Sequence, residues 1–250
     1  MRVTVLGFQS PYPGPNGATP GYLIETQHTR LMLDCGSGVL AQLGRYMPIY
    51  ELDALLLSHY HHDHIADIGV LQYGLMVHQL FGERNPGKPL PVYAPDSPAA
   101  NAQSLVYKAA TAFHPVKEQS RAKIGDMEIQ FLRTDHGDGD PCYAMRLEAE
   151  GKVLVYGADS GPATNWGSFL KEADLFIGEG TYLDHNLPAT PNGHLSVRQL
   201  AQIAEEHSCR SLLITHLYHG YDPEEVLRQA SAYQAGACHV ARIGLQISLQ

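Results

Sequence analysis

A cluster of histidines directly after a short apolar segment is the feature that most constrains this chain. The segment Ala54–Leu57 is entirely apolar, and four of the fourteen histidines lie in the next stretch, Ser58–His64. A short apolar run is typical of a buried strand, and His59 and His61, two positions apart in an extended chain, face the same side. Imidazole and carboxylate groups are ligands for Zn²⁺ and also for Mn²⁺ or Fe²⁺. An exposed histidine tract is the alternative, but such tracts belong to low-complexity sequence. We therefore predict that a buried strand delivers metal ligands at its end.

The same pattern, an apolar strand that ends in a histidine or an aspartate, recurs three times later in the chain. It places His136, Asp159 and His216 at or just after the ends of predicted strands. Taken alone, each histidine is as compatible with an ordinary strand end as with a ligand. Together with the first cluster they repeat one arrangement four times, which predicts that they share a two-metal site.

The rest of the chain alternates clusters of strands with helices. Neither an internal repeat nor a low-complexity linker interrupts it, so residues 1–250 are predicted to form a single domain. Two packed sheets covered by helices account for this order. Strands are predicted at Arg2–Leu6, Tyr22–Thr26, Arg30–Leu33, Ala54–Leu57, Pro91–Ala94, Met127–Arg133, Tyr143–Glu148, Lys152–Tyr156, Asp174–Ile177 and Leu212–Thr215. Helices are predicted at Val39–Tyr46, Ile68–Phe81 and Ala99–Ala112, and after the caps Ser196 and Asp222.

Charge and targeting signals narrow the function and the location. The net charge of −9 argues against a protein that holds nucleic acid mainly through a basic surface. Apolar runs stay below the roughly 18 residues needed to cross a bilayer, and the apolar start of the chain is too short for a signal peptide. The four cysteines lie far apart, without a C-x-x-C pair. Isolated thiols of this kind are typical of a reducing compartment, so we predict a cytoplasmic protein that does not bind membranes.

The motifs as a set resemble the metallo-β-lactamase superfamily. The resemblance rests on His-x-His-x-Asp-His after an apolar strand, on the later His, Asp and His, and on an early Asp34-Cys35-Gly36 turn. It implies an α+β fold, a four-layer αββα sandwich with the site at one edge of the two sheets. It also implies two cations per chain, Zn²⁺ with Mn²⁺ or Fe²⁺ as alternatives, that share an attacking hydroxide.

The family's ligands carry over onto this sequence position by position. His59, His61 and His136 correspond to the ligands of the first metal, Asp63, His64 and His216 to those of the second, and Asp159 to the bridging ligand. Asp63 is also predicted to take part in catalysis. Asp34 is expected either to orient a ligand histidine or to form the turn before Gly36, and the two roles are compatible.

Within the superfamily, the residues favour the branch of the ribonuclease Z-like phosphodiesterases. The diiron oxidoreductases carry Glu where this chain has His61, and the lactam-hydrolysing members usually lack the carboxylate at Asp159. Gly193-His194-Leu195-Ser196 resembles the branch's His-Ser-Thr motif, whose histidine contacts the scissile phosphate. Glu179 is predicted to accept a hydrogen bond from His194 and to raise its pKa. Gly178 departs from the family, which has His there, and His194 as an ordinary loop residue is the alternative.

The preferred function is hydrolysis of a small or cyclic phosphodiester. Only residues 137–158 separate His136 from Asp159, so the long basic arm of the tRNA-processing enzymes is absent from this interval. The missing arm and the negative net charge together disfavour tRNA 3′-end cleavage and strong nucleic-acid binding. The alternatives are a thioester or lactone hydrolase with the same metals and a catalytically silent metal-binding or interaction module. The apolar helix predicted at Ile68–Phe81 is expected to be buried, with a homodimer contact as the alternative.

Overall fold

Two seven-stranded sheets form the centre of the computed structural model, which describes residues 1–137 and 139–249. The first sheet has the spatial order β14-β1-β2-β3-β4-β5-β6. Its strands are β1 (Arg2–Gly7), β2 (Gly21–Glu25), β3 (Arg30–Leu33), β4 (Ala54–Leu56), β5 (Leu90–Pro95), β6 (Thr111–Val116) and β14 (Gln246–Ser248). Strands β14, β1, β2 and β3 pair antiparallel, and β3, β4, β5 and β6 pair parallel.

The second sheet repeats this division with the order β13-β12-β11-β10-β9-β8-β7. Its strands are β7 (Arg121–Ile124), β8 (Met127–Arg133), β9 (Tyr143–Ala149), β10 (Lys152–Tyr156), β11 (Leu175–Glu179), β12 (Ser211–Thr215) and β13 (Ala237–Val240). The pairs from β7 to β10 are antiparallel, and those from β10 to β13 are parallel. Each sheet therefore has a parallel half, where several strands end at the same edge.

The helices cover the outer faces of the two sheets. They are α1 (Val39–Leu43), α2 (His62–Ile65), α3 (Ile68–Leu80), α4 (Ala99–Ser104), α5 (Gly167–Leu170), α6 (Val197–Glu206) and α7 (Pro223–Ser231), with a short 3₁₀ helix at Ile49–Glu51. Helix α6 begins with the predicted capping box, in which Ser196 accepts from the backbone N–H of Gln199, and α7 begins at Asp222 with Pro223 in its first turn. These caps satisfy backbone N–H groups that a helix start leaves unpaired.

Side-chain alternation along the strands separates three apolar layers. In β3, Leu31 and Leu33 lie in the core between the sheets, whereas Met32 packs beneath the helices of the first sheet. In β12, Leu213 faces the central core and Leu212 the helices of the second sheet. A strand buried on both faces has this period of two. The result is the four-layer αββα sandwich, and the predicted fold class is confirmed.

The segment after α4 corrects one secondary-structure prediction. A helix over Ala99–Ala112 is wrong, because α4 ends at Ser104 and the chain then turns through Lys108, whose φ is +49°. The hydroxyl of Thr111 accepts from the N–H of Tyr107 and donates to the carbonyl of Leu105, which closes this turn. Parallel pairing with β5 then makes the following residues strand β6.

Helix α3 is where predicted, but only one of its faces is buried. Ile68, Leu71 and Leu75 pack on the first sheet, whereas Leu80 is 76% exposed and Val70 also faces solvent. Burial of the whole helix was therefore the wrong expectation. The homodimer contact predicted from sequence would use this exposed face, and sedimentation velocity tests it.

The sequence also predicts isolated, unpaired cysteines and no helix that crosses a membrane. The four cysteines are free thiols, three of them buried. Within the described residues, none of the helices has both the length and the apolar character that a bilayer crossing requires.

Candidate metal centre

The predicted ligands follow strands whose carboxyl ends meet at one edge of the sandwich. In the first sheet, the parallel strands β3 and β4 lead to Asp34 and to the cluster at Ser58–His64. In the second sheet, β8 and β10 run in the same direction because both pair antiparallel with β9, and β10, β11 and β12 are parallel. Parallel neighbours end at the same edge, so segments far apart in sequence share one site.

The structure brings all seven predicted ligands together in two groups. Within each group the potential ligand atoms lie within 4.8 Å of one another: His59, His61, His136 and Asp159 form the first group, and Asp63, His64 and His216 form the second. The groups coincide with the two metals assigned from the family resemblance. The roles of these residues as ligands remain predictions.

Asp159 lies between the groups and directs one carboxylate oxygen towards each. Its Oδ2 is 3.6 Å from the Nε2 atoms of both His59 and His136. Its Oδ1 is 3.3 Å from Nε2 of His64 and 3.2 Å from Nε2 of His216. This is the arrangement required of a carboxylate that bridges two cations.

Unpartnered polar atoms test whether a metal fits these residues. Among the described residues, Nε2 of His59, His64 and His216 and Oδ1 of Asp159 are buried without a hydrogen-bond partner. A buried polar atom left unpaired costs about 1–3 kcal/mol. Four such atoms facing one small volume are explained by divalent cations, for which neutral imidazole and carboxylate are suitable donors. The residues therefore fit a metal centre.

Each of four ligand histidines uses its other ring nitrogen to contact a neighbouring group. Nδ1 of His59 lies 3.0 Å from Ser58 Oγ, and Nδ1 of His64 lies 2.7 Å from Asp34 Oδ2. Nδ1 of His136 lies 3.1 Å from the carbonyl oxygen of Gly193, and Nδ1 of His216 lies 2.9 Å from Thr181 Oγ1. Such contacts fix the ring and leave Nε2 for a metal. His61 differs, because its Nδ1 faces the group, 3.1 Å from Nε2 of His136.

Asp34 combines both roles that its position in sequence predicts. It is fully buried, and its φ of +54° forms the turn after β3. Its carboxylate accepts hydrogen bonds from the N–H and the hydroxyl of Ser58, from His64 and from the hydroxyl of Tyr156 at 2.5 Å. At Gly36, a Cβ atom would lie 2.1 Å from the carbonyl oxygen of Asp63. Glycine here lets the turn approach the histidine cluster.

Burial and neighbouring charges set the protonation of the ligands. Burial lowers the pKa of His59 and of His61, which favours the neutral imidazole that metals bind. Burial also opposes the charged form of His64, but Asp159 and Asp34 outweigh it and hold the pKa of His64 well above its usual value.

The carboxylate of Asp63 belongs to the second group and is held ionised. Burial acts to raise its pKa, but the nearby His216, whose Nε2 lies 3.4 Å from Asp63 Oδ2, and His64 outweigh burial and lower the pKa of Asp63 to about 2. Oδ2 of Asp63 also accepts from Ser10 Oγ at 2.9 Å. At neutral pH the group is therefore an anionic ligand or a hydrogen-bond acceptor, and not a proton donor.

His194 lies beside both groups and is supported by Glu179. Its ring is 4.8 Å from that of His136, edge to face, and stacks on that of His216 at 5.5 Å. Nδ1 of His194 lies 2.9 Å from Oε1 of the fully buried Glu179. Burial acts to lower the pKa of His194, but Glu179 raises it to about 9.

Glu179 supports His216 as well, through Thr181. The hydroxyl of Thr181 donates to Glu179 Oε2 and therefore accepts from Nδ1 of His216. Glu179 Oε1 also accepts from the backbone N–H of Ser160, next to Asp159. One buried carboxylate thus contacts the support of a predicted metal ligand and the predicted phosphate-binding histidine.

An open cavity of about 560 Å³ adjoins the first group. Its lining comprises His59, Tyr60, His61, Asn101, His136, Gly137, Gly139 and Asp140. The lining combines predicted ligands with amide, carboxylate and backbone groups. This cavity gives a small polar molecule access to the site.

Several contributors were missed by the sequence reasoning. Ser10, Ser58, Tyr156 and Thr181 contact Asp63, Asp34 or Glu179 but belong to residue types that occur everywhere in a chain. For Ser58 a signal existed, because it directly precedes His59. Ser10 approaches the site only because its backbone N–H donates to the carbonyl of Leu217, from the other sheet's loop.

An αββα sandwich with paired His/Asp groups at the shared strand edge defines a class of protein, the metallo-hydrolases. Comparisons with known proteins agree. The family model described as "Beta-lactamase superfamily domain" matches residues 29–217. "Probable metallo-hydrolase YhfI" of Bacillus subtilis (strain 168) is 38% identical over 245 residues, which cover 98% of each chain. "Ribonuclease Z" of Methanopyrus kandleri is 26% identical over 280 residues, which cover 98% of this chain and 96% of that protein.

Solved structures give the same result. The crystal structure of YhfI from Bacillus subtilis matches with a TM-score of 0.93 and 36% identity over 98% of each chain. A diphosphatase from the PhnP family has a TM-score of 0.78 at 18% identity, over 100% of this chain and 98% of that one, and so shares the fold. The chain belongs to the β-lactamase superfamily, in the branch related to ribonuclease Z, and is a metal-dependent hydrolase. The family predicted from sequence is confirmed.

Proposed function

We propose that this metallo-hydrolase cleaves a small phosphodiester, linear or cyclic, with two Zn²⁺ ions in the candidate metal centre. His59, His61 and His136 would hold the first cation, Asp63, His64 and His216 the second, and Asp159 both. When bound, two such cations lower the pKa of a water molecule towards neutrality and neutralise charge on phosphate oxygens. Mn²⁺ and Fe²⁺ are the alternative cations, because the donors are nitrogen and oxygen atoms only.

The position of His194 is the observation that carries this proposal. Because Nδ1 of His194 is held by Glu179, Nε2 is the atom left for a substrate. Asp159, His194 and His216 each have one potential ligand atom that lies within 4.8 Å of those of the other two. A protonated imidazole there is close to where a phosphate bridging the two ligand groups would lie.

The chemistry of phosphodiester hydrolysis needs such a group. Water adds its oxygen to phosphorus and releases a proton to solvent, one P–O ester bond breaks, and the departing oxygen needs a proton, which the donor later regains from solvent. We assign this proton to Nε2 of His194, which also balances charge on the phosphorane before it is transferred. Asp63, whose pKa is about 2, is suited to accept a hydrogen bond from the attacking water.

The competing substrates make weaker use of this arrangement. A thiolate leaves without protonation, so a thioester hydrolase has little need of the His194–Glu179 pair. A tRNA substrate needs cationic surface, whereas the net charge is −9 and the antiparallel pair β9–β10 occupies most of the interval before Asp159. These features favour a small phosphodiester and disfavour strong nucleic-acid binding.

Substitution of His194 by alanine tests the proposal. Because p-nitrophenolate leaves without a proton, hydrolysis of bis(p-nitrophenyl) phosphate tests the charge that His194 places beside the phosphorane. We expect His194→Ala to slow this reaction by about 10²–10³-fold, the usual cost of losing one group that stabilises transition-state charge, with little change in zinc content. His62→Ala is the matched control, since His62 lies in the same cluster but is exposed and outside both ligand groups. Elemental analysis of each variant separates loss of catalysis from loss of metal.

Parallel assays of a thioester and a lactone decide between substrate classes. Turnover of the thioester by wild type at a higher kcat/KM than any phosphodiester, with His194→Ala unimpaired, would contradict the proposed function. Less than one tightly held metal per chain would favour the catalytically silent interaction module. We also propose a cytoplasmic location, supported by the free cysteines, and cell fractionation tests it.

A further inference from the structure

Four aromatic side chains form a partly exposed wall beside the second ligand group. We define this aromatic wall as Tyr12, Tyr218, His219 and Tyr221. The ring of Tyr12 is 6.4 Å from that of Tyr218 and 5.1 Å from that of His219, and the ring of Tyr221 is 5.7 Å from that of Tyr218. Tyr12 is 52% and Tyr218 41% exposed. His219 and Tyr221 are half-buried, and Tyr221 packs against the core beneath the helices of the second sheet, so it is mainly Tyr12 and Tyr218 that present their rings to solvent.

The loops that carry the wall are the loops that complete the metal centre. Tyr218 follows the predicted ligand His216 by two positions, and Tyr12 follows Ser10 by two. Ser10 donates through Oγ to the ligand Asp63 and through its backbone N–H to the carbonyl of Leu217. The wall is therefore anchored to the second ligand group at two points.

A second connection leads from the wall to His194. The hydroxyl of Tyr221 donates to the backbone carbonyl of Thr181 at 2.9 Å. The side chain of Thr181 contacts Glu179 and His216, the groups that support the phosphate side of the site. A molecule that places its phosphate beside His194 would thus have the wall within reach of its next group.

The cavity beside the first ligand group does not offer a comparable surface. Its one aromatic residue other than histidine is Tyr60, which is 9% exposed and donates its hydroxyl to the carbonyl of Pro95. The remaining lining includes Asn101 and Asp140, which suit hydroxyl groups. The two sides of the site therefore differ, with polar groups on one and stacking rings on the other.

We propose that the aromatic wall is a base-binding subsite and that the substrate is a phosphodiester of a mononucleotide. This inference rests on the proposed function. Every nucleobase has a π face, and stacking on exposed tyrosine or histidine rings is a common means of binding one. The net charge of −9 favours a single nucleotide over a polynucleotide, whose binding depends on many phosphate contacts.

Two esters with the same leaving group test the subsite. The p-nitrophenyl ester of thymidine 5′-phosphate and methyl p-nitrophenyl phosphate both release p-nitrophenolate and differ by the nucleoside. We expect wild type to prefer the nucleoside ester in kcat/KM. Tyr218→Ala should lower the ratio of the two kcat/KM values by about tenfold or more, as expected for loss of one base-stacking ring. Tyr218→Phe, which keeps the ring, should restore most of the ratio.

The control is Tyr233→Ala, because Tyr233 is also 41% exposed but lies after α7, outside the wall. The ratio of the kcat/KM values for the two esters should be the same in Tyr233→Ala as in wild type. A wild-type ratio near one that Tyr218→Ala leaves unchanged would overturn the subsite while the proposed function stands. Stronger inhibition by a short single-stranded RNA than by thymidine monophosphate would overturn the choice of a mononucleotide.

Failure of the proposed function has a different signature. If neither ester is hydrolysed by metal-loaded protein, the phosphodiesterase assignment fails. Binding then decides the subsite separately, through the affinities for adenosine monophosphate and for ribose 5-phosphate. Tighter binding of the nucleotide that is lost in Tyr218→Ala would support a base-binding wall, and equal affinities would overturn it.

Discussion

Replacement of Glu179 by glutamine removes one charge from the candidate site and leaves its shape almost unchanged. The glutamine oxygen can still accept from Nδ1 of His194 and from the backbone of Ser160, where Oε1 accepts now. Its amide would face the hydroxyl of Thr181, which now donates to the carboxylate, so this one hydrogen bond reverses direction. The substitution therefore tests the carboxylate charge beside His194, and a variant of Thr181 controls for the changed hydrogen bond.

The size of the effect follows from the distance. A unit charge about 4 Å from the imidazolium, at an effective dielectric constant of about 20, contributes about 4 kcal/mol. That energy corresponds to a pKa difference of about 3, and the retained hydrogen bond reduces it. The pKa of His194 is about 9, compared with the ordinary 6.5, although burial acts to lower it. We expect the pKa of His194 in Glu179→Gln to lie about 2 below that of wild type.

The pH dependence of kcat/KM reports this difference. His194 must be protonated to stabilise charge on the phosphorane, so activity is complete below its pKa and is lost as the pH rises through it. Lowering the pKa therefore moves the alkaline limb of the profile to lower pH, by about 2 pH units, and leaves the acidic limb in place. The assay is hydrolysis of bis(p-nitrophenyl) phosphate between pH 6 and 10, with metal content measured for each protein.

Thr181→Val is the matched control. It removes the contact between Glu179 and His216 but leaves the carboxylate beside His194. We expect weaker metal binding and an unchanged alkaline limb. An alkaline limb that stays in place in fully metal-loaded Glu179→Gln, or that moves equally in Thr181→Val, would refute the role given to this carboxylate.

Two further predictions concern the second ligand group. Asp34→Asn replaces an acceptor of four hydrogen bonds, including the one from His64. It should weaken binding of the more weakly held zinc ion by about 10–100-fold, as measured by competition with a chelator. Equal zinc affinities of the variant and wild type would contradict the support of His64 by Asp34. Because the raised pKa of His64 keeps it protonated in the metal-free protein at pH 7, zinc binding should release at least one proton per chain. Titration calorimetry in buffers of different ionisation enthalpy measures this release, and its absence would contradict the protonation of His64.

The positions of the predicted ligands could be predicted from sequence because all seven follow the ends of four strands, four of them after β4 and one each after β8, β10 and β12. The apolar segment before His59, and those before Asp159 and His216, are local patterns. Parallel pairing then brings the ends of these strands to one edge, and the order of the strands places the residues that follow them side by side. Contacts made across the two sheets, such as Ser10 with Asp63, have no local pattern and were not predictable.

The missed strands have a similar cause. Strands β13 and β14 have four and three residues and lie at sheet edges, so their own sequence has little room for a period of two. Strand β6 contains Pro115 and is also at an edge, where a missing N–H is tolerated. The neighbouring strand determines these elements more than their own residues do.

Gly178 is the residue at which the sequence departs from the ribonuclease Z pattern, and its environment limits what the departure means. Strand β11 alternates, so that Glu179 points into the site whereas position 178 faces the outer helices. A Cβ atom at Gly178 would lie 2.3 Å from Cδ1 of Leu200 on α6. A side chain there would first have to displace the side chain of Leu200, on the face turned away from the metal centre.

The substitution Gly178→His therefore should not bring a histidine into the candidate metal centre. We expect it to lower the free energy of unfolding by about 1–3 kcal/mol through overpacking, with no gain in phosphodiester hydrolysis. Denaturant unfolding and the standard assay measure both quantities. Higher kcat/KM at undiminished stability would show that α6 yields to a histidine and that position 178 has access to the substrate. The close packing of Leu200 against position 178 argues against that outcome, whereas the contact between Glu179 and His194 lies on the other face of β11.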